Sequence, residues 1–194
     1  DSREKAKRAV MAGLVYDEHG RVDKPGQKID IEACITVKGN TLKYVSRGGL
    51  KLEKAIETFG IDMQDKLMLD IGSSTGGFTD CALQYGAKYV YALDVGTNQL
   101  VWKLRSDARV EVMEQTNFRY ATKEMFKNGL PDFASIDVSF ISLKLIFMPL
   151  KDILVKDGEF VALIKPQFEA GKDQVGKNGI IKNPKIHLEV LEKV

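Results

Sequence analysis

The chain is poor in the residues that build cross-links and metal sites: two cysteines and two histidines among 194 residues. Cys34 and Cys81 have no short spacing between them. A disulfide framework is not expected, and both read as reduced, small apolar residues of a cytoplasmic protein. His19 and His187 stand alone in sequence, so a zinc-type ligand set has too few members and no metal is expected. Long hydrophobic runs are missing as well. The stretch 143–154 is short and interrupted by Lys144, Pro149 and Lys151, and the amino end is charged, so neither a membrane span nor a signal peptide is expected. Nor is there a large excess of one charge. Lys and Arg number 29 against 27 Asp and Glu, a net +2, which requires no polyanionic partner by itself.

What is present describes an ordinary soluble protein, 44% apolar and 29% charged, long enough for one sizeable domain with a small appendage. Charge is unevenly spread. Residues 1–60 carry 12 Lys and Arg against 9 Asp and Glu, the remainder 17 against 18. The bias permits a phosphate-backbone partner for the first part of the chain without requiring one.

The most informative stretch is Leu67-Met-Leu-Asp-Ile-Gly-Ser-Ser-Thr-Gly-Gly-Phe-Thr79. An apolar strand runs into a loop with Gly72, Gly76 and Gly77, then into a helical pattern, the arrangement by which an α/β domain makes a nucleotide-sized site. The spacing does not match the G-x-G-x-x-G of a dinucleotide fold, and no Gly-Lys-Ser/Thr of a P-loop follows. Apolar strands are expected at 67–71, 89–94, 110–114, 133–137 and 160–165. Helices are expected near 77–85, 98–105, 120–128 and 142–154, with a last one after Asn183-Pro184. This alternation predicts an α/β fold, a largely parallel, doubly wound, Rossmann-like sheet with helices on both faces. Asp70, Asp94, Asp137 and Lys165 would end four strands on one edge, where ligands bind. An acid such as Asp94 is placed for a ribose diol, and Asn117, after the third strand, reads on local grounds as a turn residue.

Upstream of the sheet, Asp1 and Glu4 form a capping-box pattern for a basic helix, Arg3 to Ala12, that carries Arg3, Lys5, Lys7 and Arg8 and stops at Gly13. Turns at His19-Gly20 and at 21–26 and a short strand at 35–37 complete a small α+β module. The chain is therefore divided into a module at 1–39, a linker at 40–49 and an α/β domain at 50–194. In the latter, Lys51 lies in the first turn of a helix from Leu50 to Phe59, closed by Gly60. On local grounds Lys51 reads as a surface lysine and the basic helix as a solvated face. Phe140 and Phe168 read as core side chains in preference to base-stacking ones, and the lysine-bearing segment 165–185 reads equally as a solvated loop or a flap over phosphates.

Four motifs together carry a specific resemblance: Ser46-Arg-Gly-Gly-Leu-Lys-Leu52, Asp70-Ile-Gly-Ser-Ser-Thr-Gly-Gly-Phe-Thr-Asp80, Asp137-Val-Ser-Phe-Ile-Ser142 and Leu163-Ile-Lys-Pro-Gln-Phe-Glu169. In this order they resemble the TlyA family, called haemolysin-like, which looks like the FtsJ-type ribosomal RNA ribose 2′-O-methyltransferases that use S-adenosylmethionine (SAM). The resemblance implies a SAM site formed by Asp70, Gly72, Ser73, Ser74, Gly76, Gly77, Phe78, Asp94 and Asn117. Of that family's Lys-Asp-Lys-Glu tetrad, Lys51, Asp137 and Lys165 have matches, with Lys165 as the base. The two lysines converging on one site would favour a neutral amine. The glutamate has no match and that family's N-terminal domain begins earlier, so the chain is expected to be a fragment at both ends. Residues 1–39 are similar to the later part of an S4-type RNA-binding domain, and Arg3, Lys5, Lys7, Arg8 and Arg47 are expected to meet RNA. The implied partners are ribosomal RNA or ribosomal subunits, and the implied target is a cytidine. Two alternatives are a noncatalytic RNA-binding protein on the same fold, which the retained lysines and aspartate disfavour, and a cytolysin, which no span, barrel repeat or secretion signal supports.

Overall fold

The computed structural model describes residues 3–11, 13–38, 43–176 and 179–194, apart from the side chains of Glu4, Lys5, Arg8 and Lys172. The chain divides into two compact units, Asp1–Lys43 and Tyr44–Val194. The expected capping box at Asp1, the helix end at Ala12 and the start of the linker at 40–42 lie outside the described residues.

In the first unit a basic helix α1 (Arg3–Met11) ends at Gly13, whose φ of 69° is the left-handed turn that glycine adopts freely. Strands β1 (Val15–Asp17) and β2 (Gly20–Arg21) form a hairpin, and β3 (Thr36–Val37) pairs antiparallel with the other side of β1. The order is β2-β1-β3.

The second unit begins at Tyr44, inside the stretch assigned to a linker. The correction has a packing cause: Tyr44 is 2% exposed in the main core, its hydroxyl donates to Glu53, and Val45 N donates to Asp80 Oδ2 at 2.8 Å. Helix α2 (Gly49–Phe59) follows, closed by Gly60 in the left-handed region. Then come β4 (Leu67–Ile71), α3 (Gly77–Gln84), β5 (Tyr89–Leu93), α4 (Trp102–Arg105), β6 (Val110–Met113), β7 (Phe133–Ile136), α5 (Lys144–Ile153), β8 (Glu159–Ala162), α6 (Pro166–Glu169) and α7 (Pro184–Lys193). The five strands β6-β5-β4-β7-β8 are parallel. Strand order reverses between β4 and β7, the switch point at which α/β sheets open a crevice.

Residues of alternating parity along the strands feed two cores. Met68, Val90, Ala92 and Phe133 pack with Leu52, Ile56, Phe78 and Leu104 on one face. Leu69, Ile71, Tyr91, Leu93, Ala134 and Ile136 pack with Phe118, Ile146, Leu150 and Ile153 on the other. Each fully buried side chain of this kind stabilises the fold by about 1.5–3 kcal/mol.

Three expected elements differ. The helix at 98–105 is reduced to Trp102–Arg105, because the Glu114 carboxylate accepts the N–H groups of Asn98, Gln99 and Leu100 and holds them out of a helix. The helix near 120–128 is replaced by two 3₁₀ turns, Phe118–Tyr120 and Lys123–Met125, between which Ala121 and Thr122 are extended. Strand β8 ends at Ala162, short of Lys165. The residue before Pro166 is driven toward extended backbone, and Lys165 becomes the N-cap of α6 at φ −111° and ψ 99°.

Candidate active site

Alternation along β7 decides where its acid points. Phe133 and Ser135 face the α2 and α3 layer, so Asp137, two residues on, falls on the same side. Helix α2 can bring Lys51 there only by lying close to α3. A Cβ on Gly77 would stand 2.4 Å from Ser46 Oγ and 2.8 Å from Gly49 N. The glycines of both motifs therefore set the approach of the two helices. Lys51 Nζ donates to Asp137 Oδ2 at 2.8 Å.

Lys165 reaches the same carboxylate from the other side. Its Nζ lies 2.5 Å from Asp137 Oδ1 in an ion pair and donates its hydrogen bond to Ser139 Oγ at 3.0 Å. Burial pushes the Asp137 carboxyl up, but contact with Lys165 and Lys51 and their positive charges outweigh it and hold the group below the usual carboxylate range. The two lysines differ in solvation: the Lys165 side chain is 19% exposed and that of Lys51 49%.

Beside this cluster lies the glycine loop. Gly72 has φ 86°, and a Cβ there would come 2.7 Å from the carbonyl oxygen of Asp137, so the loop and the β7 end touch through backbone. Gly72 N and Ser73 N donate to Leu93 O. Asp94, 9% exposed, accepts from Ser74 N on Oδ2 and from Gly96 N on Oδ1, each at 2.8 Å. The acid thus ties the glycine loop to the turn after β5, while each carboxylate oxygen keeps a second lone pair.

Several residues expected to line a cofactor site are instead buried. Asp70 lies inside β4, fully covered, with Oδ2 accepting from Thr79 Oγ1 at 2.7 Å and Oδ1 from Ser135 Oγ at 2.9 Å. Burial raises its pKa to about 6 despite both hydroxyls. It braces the loop from beneath. Phe78 is buried in the core under α3, Gly77 is filled by the α2 contact, and a Cβ on Gly76 would strike Leu104. Ser73 is buried as well. Asp94 is buried too, whereas Gly72 is half-buried and Ser74 and Asn117 are exposed. Asn117 is exposed, and its Oδ1 caps a 3₁₀ turn by accepting from Arg119 N, the turn role that was its other reading.

A family model described as FtsJ-like methyltransferase matches residues 44–194. The chain belongs to the FtsJ-like methyltransferase family. Among its relatives, YqxC of Bacillus subtilis is 63% identical over 194 residues, all of this chain and 69% of that protein. The 16S/23S rRNA (cytidine-2′-O)-methyltransferase TlyA of Mycobacterium tuberculosis is 41% identical over 186 residues, 95% of this chain and 69% of that protein. A solved structure from Streptococcus thermophilus, named as a hemolysin, superposes with a TM-score of 0.81 at 61% identity, covering 99% of this chain and 70% of that one. These relatives place the chain in the TlyA group of the FtsJ-like methyltransferases.

In this methyltransferase the cluster has a basic margin. Arg47 is exposed and lines, with Ser46, Gly48 and Lys51, an open hollow of about 490 Å³. On the first unit, Arg3 and Lys7 are exposed along α1, while the side chains of Lys5 and Arg8 lie outside the described residues. Phe140 does not pack in the core. It is 90% exposed at φ 63°, a conformation that bulky residues rarely adopt, with its ring 5.0 Å from that of Phe168. Among the described residues no group of three or more His, Cys, Asp and Glu could hold a metal, and no helix is long and apolar enough to cross a membrane.

Three residues escaped the sequence reading. Ser139, inside the quoted Asp137-Val-Ser motif, contacts Lys165. Glu114 anchors the turn at 98–100, which a lone acid at a strand end does not announce. Glu169, in the Lys165 motif, is 3% exposed. An acid amid apolar neighbours was the available signal.

Proposed function

We propose that this methyltransferase transfers a methyl group from SAM to the ribose 2′-hydroxyl of a cytidine in ribosomal RNA. The observation that carries the reading is the carboxylate of Asp137 shared by Lys51 and Lys165 beside the glycine loop. The name of its TlyA relative supplies the substrate class.

The site residues fit this cofactor by the chemistry of their donors. Asp94 has lone pairs for a ribose diol, Gly72 and Ser74 offer a loop without bulky side chains, and Asn117 stands at the adenine end. When bound, SAM supplies an activated methyl group. The protein must hold the 2′-oxygen in line with it and take up the hydroxyl proton as the bond forms. Lys165 is the base. Its side chain is the better shielded of the two and lies on both Asp137 and Ser139. Lys51, more exposed and next to Arg47, holds the ribose and its phosphate. Asp137 keeps both lysines on the reacting oxygen. Phe140, with Phe168 against it, offers an aromatic face to a base turned out of its stack.

The first unit acts as the later part of an S4-like RNA-binding module, with α1 meeting phosphates through Arg3, Lys5, Lys7 and Arg8, and residues 50–194 carry the chemistry. With ribosomal RNA as its substrate, the protein would act in the cytoplasm. The test is tritiated-SAM transfer by the full-length protein to intact subunits and to free rRNA, with the modified nucleotide mapped. Lys165→Ala should lower transfer at least about a hundredfold, as loss of a general base does. Near wild-type transfer by Lys165→Ala, or label on a base rather than a ribose, would sink the proposal.

A further inference from the structure

Two loops that meet at the site are joined a second time away from it. The first, residues 137–143, carries Asp137, Ser139 and Phe140. The second, residues 163–170, carries Lys165 and Phe168. Behind them lies Glu169, 3% exposed. Its Oε2 accepts from Ser142 Oγ and its Oε1 from Leu143 N, both at 2.7 Å. The carboxylate thereby caps the start of α5, where Leu143 brings no capping side chain of its own.

The position of this contact gives it leverage. Helix α6 is a single turn with Lys165 at its N-cap and Glu169 at its last residue. Whatever fixes Glu169 therefore fixes the direction in which Lys165 leaves the sheet. The far side of the turn is held as well, because Lys193 Nζ of α7 donates to the Glu169 carbonyl oxygen at 2.6 Å. Strand pairing cannot do this job alone: β8 ends at Ala162 and its last ladder bond is Leu163 N to Ile136 O. Beyond it, the Lys165 and Phe168 contacts are the very ones the chemistry needs to be set in place. Burying a carboxylate is costly, and one with two short hydrogen bonds to a facing loop returns that cost as fixed geometry.

We infer that Glu169 is a positioning residue, which holds the Asp137 loop and the Lys165 turn in register so that Lys165 Nζ stays on Asp137 and Ser139. This deepens the reading above and rests on Lys165 being the base. Glu169→Gln in the full-length protein keeps the shape and weakens both hydrogen bonds. A misplacement of about 1 Å costs on the order of a hundredfold in rate, so kcat should fall about ten- to a hundredfold. The KM for SAM should stay within about twofold, because the clamp does not touch the glycine loop or Asp94, and the pH at which kcat reaches half its plateau should move as the surroundings of Lys165 change. Ser142→Ala, which removes one of the two bonds, should lower kcat by a smaller factor, and the double variant should be no slower than Glu169→Gln.

A kcat within twofold of wild type for Glu169→Gln overturns the inference. So does a loss of kcat that follows the loss of folded protein or of SAM binding, with the pH profile unmoved, which is what a purely structural acid would give. Should Glu169→Gln fail to fold, Ser142→Ala decides, and an unchanged kcat there overturns it. Lys165→Ala separates the two ideas: an active Lys165→Ala refutes the base assignment, whereas an inactive Lys165→Ala with a fully active Glu169→Gln refutes only the clamp.

Discussion

Asp70→Asn should make the protein more stable relative to wild type as pH rises, which is the reverse of what a salt-bridged acid would do. The Asp70 carboxyl is fully buried between Thr79 and Ser135, and burial raises its pKa from 3.8 to about 6. Below about pH 4 the group is protonated in both folded and unfolded chains and contributes nothing to the pH dependence. Between about 4 and 6 the unfolded chain ionises while the folded one keeps its proton, so stability falls as pH rises. Above 6 the full penalty is present, about 3 kcal/mol from the gap between the two values. Asparagine has nearly the same shape and no charge, and both hydroxyls can turn to suit it. Its hydrogen bonds give a constant offset that does not depend on pH. Urea denaturation of both proteins at a series of pH values between 4 and 7.5 should show the variant gaining about 3 kcal/mol on wild type across the range. A carbon-13 titration of wild type should place the Asp70 midpoint near 6. A stability difference that stays flat, or that moves in favour of wild type as pH rises, would refute the account of a penalised buried acid.

Phe140→Ala should leave stability within about 0.5 kcal/mol of wild type, as expected for an exposed ring, and lower methyl transfer about 5- to 150-fold, the range that loss of one base-stacking contact gives; denaturation and single-turnover transfer measure the two. Gly77→Ala should cost about 1–3 kcal/mol by overpacking, since the new methyl meets Gly49 N at 2.8 Å. It should also lower kcat at least tenfold by pushing Lys51 off Asp137, while wild-type thermal stability in this variant would show that the helices have room to spare.

The sequence announces what depends on neighbours. Strand, glycine loop and helix at 67–84, the Gly60 and Gly13 stops, and the Asn183-Pro184 start of α7 are each set within a few residues. They are legible for that reason. What went astray depends on partners far along the chain. Glu114 dissolves most of a helix by reaching back 14 to 16 residues. Asp70 and Asp94 look alike at the ends of apolar runs, yet Ser135, 65 residues on, claims one of them for the interior. Phe140 reads as core by composition, because a left-handed backbone that turns the ring outward leaves no mark on hydropathy. Within the candidate site, the motifs pointed to Lys51, Asp137 and Lys165. Their meeting rests on small spacings, such as that at Gly77, that only the packed structure displays.

The placement of Asp137 between two lysines also explains why the acid should not be the base. Its carboxyl is held below the usual range by Lys165 and Lys51, so near neutral pH it stays ionised and has little tendency to take a proton. On the proposed reaction, Lys165 first gives up to solvent the proton of its ion pair with Asp137 and then takes the 2′-hydroxyl proton, turning from amine to ammonium as the positive charge at the methyl donor is lost. The total charge of the site is then the same before and after transfer. One unit of positive charge has moved to an atom 2.5 Å from Asp137 Oδ1, and a fixed carboxylate at that distance stabilises the product side of the step without having to reorganise. Lys51 stays positive throughout and offsets the same carboxylate before the proton arrives. Removing Asp137 would therefore do more than release two side chains: it would leave two like charges facing each other when the proton is taken up, the state through which the reaction has to pass.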